Sequence, residues 1–301
     1  MVDEKNDSAV FLTMARTNVG KSCAGTLIES IRDFGGELSR CPVWLFEAHP
    51  EETPCGSLAG NGVRVIPLRV PDSVKQYYYA DKVYACALAE EMATQNVRSL
   101  VWIDPGCLVI QPPLLFDLGK AFDAAVRPVH IKNVGLSPAQ PLNVFWKRIC
   151  EVVDMEDIRT TVETYVGAQR IRSYFNSHAF AINPSKGFLR WWFECFEILA
   201  CDGEYQKAAC PDDLHQIFLH QAVLSAALVS RFTPERIRIL PPDYNYPYNL
   251  HSSAPVERRA AALNDLVCIA YEERPLNPGL VDDIAIHDPL RSWLSRNTAP
   301  G

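Results

Sequence analysis

Asp104 closes the apolar run 100–104 and is followed at once by Pro105-Gly106. An acid at the end of such a strand sits where open parallel sheets bind ligands, beyond the carboxyl ends of their strands. There it can ligate a metal or accept hydrogen bonds from a ribose. The competing account is local, because Pro and Gly form turns readily and an Asp before them can simply cap one. A second candidate lies upstream. Residues 15–22, Ala-Arg-Thr-Asn-Val-Gly-Lys-Ser, fit a relaxed phosphate-loop pattern running from Ala15 to Gly20, Lys21 and Ser22. In that motif backbone amides cradle phosphate and the lysine reaches its outer oxygens. Ala15 replaces the first glycine and lacks its conformational freedom. A phosphate-loop NTPase is therefore kept as an alternative, with 100–104 as its second strand.

The elements that must position these residues alternate. Short apolar runs at 9–14, 42–47, 63–68 and 100–104 read as strands. Between them, 20–34 and 73–94 carry apolar residues at helical spacing, among them Leu27, Ile28, Ile31, Val83, Ala87 and Leu88. The run 100–104 is apolar enough that both faces must be covered, as in the middle of a parallel sheet flanked by helices. Repeated strand–helix–strand units imply right-handed crossovers and a doubly wound α/β fold. The second half departs from this rhythm. It offers helices at 143–153, around Phe188–Phe196, at 212–230 and 289–296, strands at 175–183, 237–240 and 266–270, and an extended antiparallel stretch at 160–172. With no internal repeat or low-complexity linker, the chain reads as one domain over 1–301, with a nucleotide-binding half at 8–130 and an acceptor-side half at 131–301. The tyrosine run Tyr77-Tyr78-Tyr79 reads as aromatic packing at a helix start or as a stacking surface, and Glu272-Glu273-Arg274 as a solvated turn.

Composition narrows the partners. At 48% hydrophobic and 22% charged the chain has an ordinary globular makeup. A net charge of −7 argues against a nucleic-acid binder, which needs a basic surface. The ten cysteines are scattered without a Cys-x-x-Cys pair, so a reduced, cytoplasmic protein is expected rather than a disulfide framework. The acidic, polar N-terminus is unlike a signal peptide, and no run approaches the ~18 apolar residues of a membrane span.

Several segments, in order, resemble GT-A glycosyltransferases of the glycogenin and galactosyltransferase type. Residues 101–113 are similar to the strand that ends in Asp-x-Asp and re-enters an apolar run. Phe11-Leu12-Thr13 with the helix around Ser30-Ile31-Arg32 resembles the opening strand and helix, and Lys82 the basic residue near the diphosphate. Residues 174–184 resemble the Phe-Asn-Ser-Gly segment, His220-Gln221 the Asp-Gln helix, and 240–245 the Leu-Pro-x-x-Tyr-Asn that follows. The resemblance covers roughly 8–275. It implies a GT-A-like, mostly parallel central sheet with a smaller antiparallel portion in the second half. It also implies transfer from a nucleotide-diphospho-sugar, UDP-linked, to a carbohydrate or other hydroxyl-bearing acceptor.

Carried over residue by residue, the resemblance implies donor binding by Thr13, Arg16, Lys82, Asp104, Gly106, Ser177 and Asn245, and chemistry at Gln221, His178 and Asn176. It implies Mn2+ or Mg2+ at Asp104. The departures are specific. Gly106 replaces the second acid, His178 a glycine, and His220 the acid before the glutamine, while Ala270-Tyr271 stands where a metal-binding histidine is expected. A divalent cation wants several hard oxygen ligands, and Asp104 is one. Hence three options stay open: a site neutralised by Lys82 and Arg127, a metal site completed by His287 or Asp212-Asp213, or a protein that binds nucleotide or carbohydrate without turnover.

Overall fold

The computed structural model describes residues 8–272 and 284–297. The first half runs β1 (Ala9–Ala15), α1 (Asn18–Phe34), β2 (Val43–Glu47), β3 (Val63–Pro67), α2 (Ala80–Met92), β4 (Ser99–Ile103), β5 (Cys107–Val109) and β6 (Ala124–Val126). The second runs α3 (Val144–Val152), β7 (Thr161–Glu163), β8 (Arg170–Arg172), β9 (Ala179–Ile182), α4 (Phe188–Cys201), α5 (Gly203–Ala209), α6 (Asp213–Arg231), β10 (Ile237–Ile239), β11 (Tyr246–Pro247), β12 (Cys268–Ala270) and α7 (Leu290–Asn297).

Seven strands form the main sheet in the order β10-β6-β9-β4-β1-β2-β3. All neighbours are parallel except β9, which runs antiparallel between β4 and β6. The reason β4 is apolar throughout is its central place. Leu100 and Trp102 enter the core that contains Val83, Trp192 and Leu224, from α2, α4 and α6. Val101 and Ile103, pointing the other way, join Leu27 and Ile31 of α1. Burying one such side chain stabilises the fold by about 1.5–3 kcal/mol. The first of these cores takes residues from Val10 to Ile237, so both halves of the chain share it.

A small second sheet, β11-β12-β5, joins the halves again. Its register sets Cys107 against Ala270, which carries Tyr271 and Glu272 over Gly106. Both of their amides donate to the Gly106 carbonyl, at 2.9 and 3.0 Å. The antiparallel stretch expected at 160–172 is the hairpin β7–β8.

Three expected boundaries move. The helix expected from 73 begins only at Ala80, because Tyr79 adopts φ +60° and residues 73–78 turn instead of coiling. The strand expected over 175–183 is confined to Ala179–Ile182, since 176–178 leave the sheet to enter the site described below. The strand expected from 266 starts at Cys268. Among the described residues no helix is long and apolar enough to cross a membrane.

Candidate active site

Two adjoining clefts open at the carboxyl end of β4, of about 600 and 580 Å³. Tyr79, Asp104, His178 and Glu272 line both and form the ridge between them. The first cleft continues over Lys82, His130, Asn176, Ser177, His220 and Gln221. The second continues over Arg16, Thr17, Gly20, Cys23, Pro105 and Gly106. One lies toward α6, the other toward the start of α1.

Asp104 is held on every side. Its amide donates to the His178 carbonyl at 2.7 Å, tying the end of β4 to the start of β9. Trp102, two residues earlier and so on the same face of the strand, donates its Nε1 to Oδ1 at 2.7 Å. Lys82 Nζ donates to Oδ2 at 2.9 Å. The lysine is fully buried, and its ammonium also donates to the Ser177 carbonyl at 2.6 Å and reaches Ser177 Oγ at 3.4 Å. A buried charge persists only when paired and hydrogen-bonded, and three oxygens meet that condition here.

Ser177 extends the network. Its Oγ lies 2.9 Å from His220 Nε2, while His220 Nδ1 is 2.9 Å from the Ile217 carbonyl. Nδ1 can only donate to that carbonyl, so in the neutral ring Nε2 accepts from the serine. Gln221 Oε1 accepts from the Ser177 amide at 3.1 Å. Burial is the largest influence on His220 and, with Lys82 nearby, pushes its pKa well below the ordinary histidine value. The His220 ring lies 4.4 Å from that of Tyr79. A tyrosine in the left-handed region costs about 1–2 kcal/mol. Here that conformation seats the ring between His220 and the Arg16 guanidinium, 5.3 Å from its centroid.

Arg16, the first residue beyond β1, forms a two-pronged pair with Asp81 through Nε and Nη2. Burial works to lower its pKa, but the bonds to Asp81 outweigh this and hold the guanidinium above its ordinary value. Asn176 Oδ1 accepts from the His178 amide at 2.7 Å and from Asn245 Nδ2 at 2.9 Å. Asn245 is thus a support behind the cleft rather than part of its lining.

Several sequence expectations change. Thr13 is buried on the α1 face of β1 with Phe11 and Ala15, and lines neither cleft. Arg127 does not reach the site. Its Nη1 donates to the carbonyls of Pro242, Tyr244 and Asn245, and its guanidinium covers the Tyr165 ring. Asp212 caps α6 and bonds His215, and the His287 amide donates to Asn264, so neither lines a cleft. Glu272 is an exposed turn residue, as expected, and it also lines both clefts because β12 delivers it against Gly106; Glu273 and Arg274 lie outside the described residues. Asp81, His130 and Glu272 were missed. Only Asp81 carried a signal, an acid beside Lys82.

The phosphate-loop alternative fails on geometry. Only Arg16 and Thr17 separate β1 from α1, too few for a cradle, and Thr17 caps the helix by accepting from the Gly20 amide at 3.1 Å. Lys21 Nζ turns away to the Pro54 carbonyl.

The implied metal was tested against the donor set. Both Asp104 oxygens already accept from Lys82 and Trp102. A side chain at 106 would place its Cβ 3.0 Å from the Glu272 Cα, so a second acid there requires the Glu272 backbone to give by a few tenths of an ångström. Among the described residues no group of three His, Cys, Asp or Glu side chains could hold a metal ion. Among the described residues the donor set does not fit a divalent cation.

A sequence model of the Rhodobacterales glycosyltransferase domain matches residues 21–230, well over half the chain. A comparison with curated protein sequences finds no match. Among solved structures, the bifunctional glycosyltransferase WbbM superposes with a TM-score of 0.58 at 14% identity, over 97% of this chain and 50% of that one. The chain therefore spans about half the length of WbbM. The galactosyltransferase LgtC, solved with donor and acceptor sugar analogues, gives 0.53 at 13% identity over 97% of both chains. GlyE from Streptococcus pneumoniae TIGR4 gives 0.50 at 10% identity, over 97% of this chain and 60% of that one. At such identities these likenesses speak for the fold, which is GT-A. The chain belongs to the Rhodobacterales glycosyltransferase domain family, and it is a glycosyltransferase enzyme on a GT-A scaffold.

Proposed function

We propose that the chain transfers a sugar from a nucleotide-diphospho-sugar, UDP-linked, to a hydroxyl-bearing carbohydrate acceptor, and does so without a divalent cation. The observation that carries this reading is the pair of clefts meeting at Asp104, with a cation on each side of it. The nucleotide lies in the cleft of Arg16, Thr17 and Gly106, and the sugar in that of Lys82, Ser177 and Gln221. LgtC, on the same scaffold, was solved with donor and acceptor analogues together. Both halves of the chain act as one unit, since their shared core lies directly beneath the site.

Transfer needs the leaving nucleoside diphosphate stabilised and the acceptor hydroxyl positioned. Arg16 and Lys82 each hold a carboxylate, and each can exchange one carboxylate oxygen for a phosphate oxygen as charge develops on the leaving group. Asp104 accepts from a ribose or sugar hydroxyl, and Asn176, fixed by Asn245, holds the His178 backbone in place. Gln221 faces the anomeric carbon.

The test is a thermal-shift and turnover series on the full chain with UDP, GDP and ATP, with Mn2+ and with EDTA. UDP should stabilise the protein equally in both, and UDP-hexose should be hydrolysed at a rate EDTA leaves within about twofold. Stabilisation confined to Mn2+ would overturn the cation-independent reading. UDP stabilisation with no turnover of any sugar nucleotide would leave binding alone.

A further inference from the structure

The polar atoms along the sugar-side cleft fall into two groups. On the α6 side, Lys82, Ser177, His220 and Gln221 bond one another as described above. His130 and His178 line the same cleft; His130 has neither ring nitrogen bonded, and His178 Nδ1 is likewise without a partner, each of the three atoms exposing less than 1 Å² to solvent. His130 is only 6% exposed, yet it lines the cleft, with its ring centroid 6.5 Å from that of His178. An unpaired buried polar atom costs about 1–3 kcal/mol, so a native fold seldom leaves three beside one cavity without a use for them.

The chemistry of these atoms defines what they take. Burial, with Arg127 adding to it, holds His130 well below the ordinary histidine pKa, and burial likewise lowers His178. Both rings are therefore neutral near pH 7, each presenting one N–H donor and one acceptor nitrogen. A hydroxyl answers donor and acceptor alike. A carboxylate beside these two rings meets no free cation among the described residues, because Lys82 is paired with Asp104, Arg127 is turned onto three backbone carbonyls and Lys132 reaches out to Gln140. Val129, Ile131 and Phe218 supply apolar surface for the C–H face of a ring.

We propose that His130 and His178 form a hydroxyl-reading subsite that selects an uncharged sugar ring in the transfer cleft, and excludes sugars carrying a carboxylate there. This rests on the cleft being the sugar side of the glycosyltransferase site. The ring can belong to the donor or to the acceptor, and the two are separated by experiment.

The full chain, labelled with 15N at histidine, is titrated with UDP, UDP-glucose, UDP-galactose, UDP-glucuronate and free neutral hexoses, following the ring nitrogens of His130. UDP alone should leave them unmoved. A shift with the UDP-hexoses assigns the donor ring, and a shift with the free hexoses assigns the acceptor. His130→Phe, which keeps a buried ring but removes both nitrogens, should weaken the responding neutral ligand about tenfold, as expected for two neutral hydrogen bonds, with UDP affinity unchanged. No shift of His130 with any neutral sugar overturns the subsite, as does UDP-glucuronate binding as tightly as UDP-glucose. If UDP itself fails to bind, the nucleotide-sugar reading falls while the free-hexose arm still decides the subsite.

Discussion

The two clefts beside Asp104 are built in different ways. The α1-side cleft takes its lining from two short stretches, 16–23 and 104–107, closed by Tyr79, His178, Ala270 and Glu272. Much of it is strand end and helix start, and its one cationic side chain among the described residues, Arg16, is locked to Asp81. The α6-side cleft gathers side chains from segments around 79–82, 129–133, 176–178, 217–221 and 249–250. One of its walls is saturated with internal hydrogen bonds and the other holds unpaired imidazoles. A wall whose polar atoms satisfy each other can be rigid in the empty protein. A wall with unpaired atoms gains its bonds only when a ligand arrives. On the reading proposed above, the difference separates the part of the site that fixes geometry from the part that recognises.

The strongest way to break this comparison is to remove the charge both clefts lean on. Lys82→Met leaves Asp104 with Trp102 as its remaining donor, and truncating one member of a buried pair costs about 3–5 kcal/mol. We expect chemical denaturation to show a loss of that order, and turnover of any sugar nucleotide to disappear. Unfolding at wild-type denaturant concentration would mean that the pair carries no structural weight.

Acid should act next, and on the α6 side. His130, His178 and His220 are all held below the ordinary histidine pKa, first of all by burial. The unfolded chain therefore binds protons that the folded one refuses. Stability from these residues is complete above the unfolded value of about 6.5 and falls as pH drops below it, by up to about 1.4 kcal/mol per pH unit for each histidine. Melting temperatures measured from pH 7.5 to 5 should decline accordingly, and His130→Phe should shallow the decline. A flat profile would show that folding leaves the ring pKa values unshifted.

The smallest effect sharpens the α1 side. Gly106→Asp restores an acid to the sequence but sets its Cβ 3.0 Å from the Glu272 Cα, and the backbone there must give by a few tenths of an ångström to take it. Overpacking of this kind costs about 1–3 kcal/mol. Calorimetry with Mn2+ should detect no gain in affinity. Tight Mn2+ binding by this variant would show that the missing acid alone, and not the packing or the Lys82 pair, had removed the metal.

Much of the scaffold was legible because local chemistry determines it. A run as apolar as Leu100 to Ile103 has one common home, the centre of a covered sheet, and an acid ending that run then falls at the ligand-binding edge. The order of segments from Phe11 to Asn245 carried the fold in the same way. Thr13 was misplaced because strand alternation, not proximity in sequence, decides which residue near a strand end sees the cleft. The helix at 73 was misread because Tyr79 takes a backbone conformation that no periodicity reveals.

What the sequence by itself determined is the address: strand, turn and acid at Asp104, with Asn176, Ser177 and Gln221 arriving from later segments. What only the tertiary structure decided is the chemistry available there. Lys82 occupies one oxygen of Asp104, Glu272 fills the space beside Gly106, and Arg127 serves backbone carbonyls instead of the substrate. Each of these depends on a partner at least 22 positions away in the chain. Spacing along a chain fixes which residues share a strand or a helix face, but not which long-range partner reaches a charged group first. That competition for a few buried oxygens is settled by packing, and it turned an expected metal ligand into half of a buried ion pair.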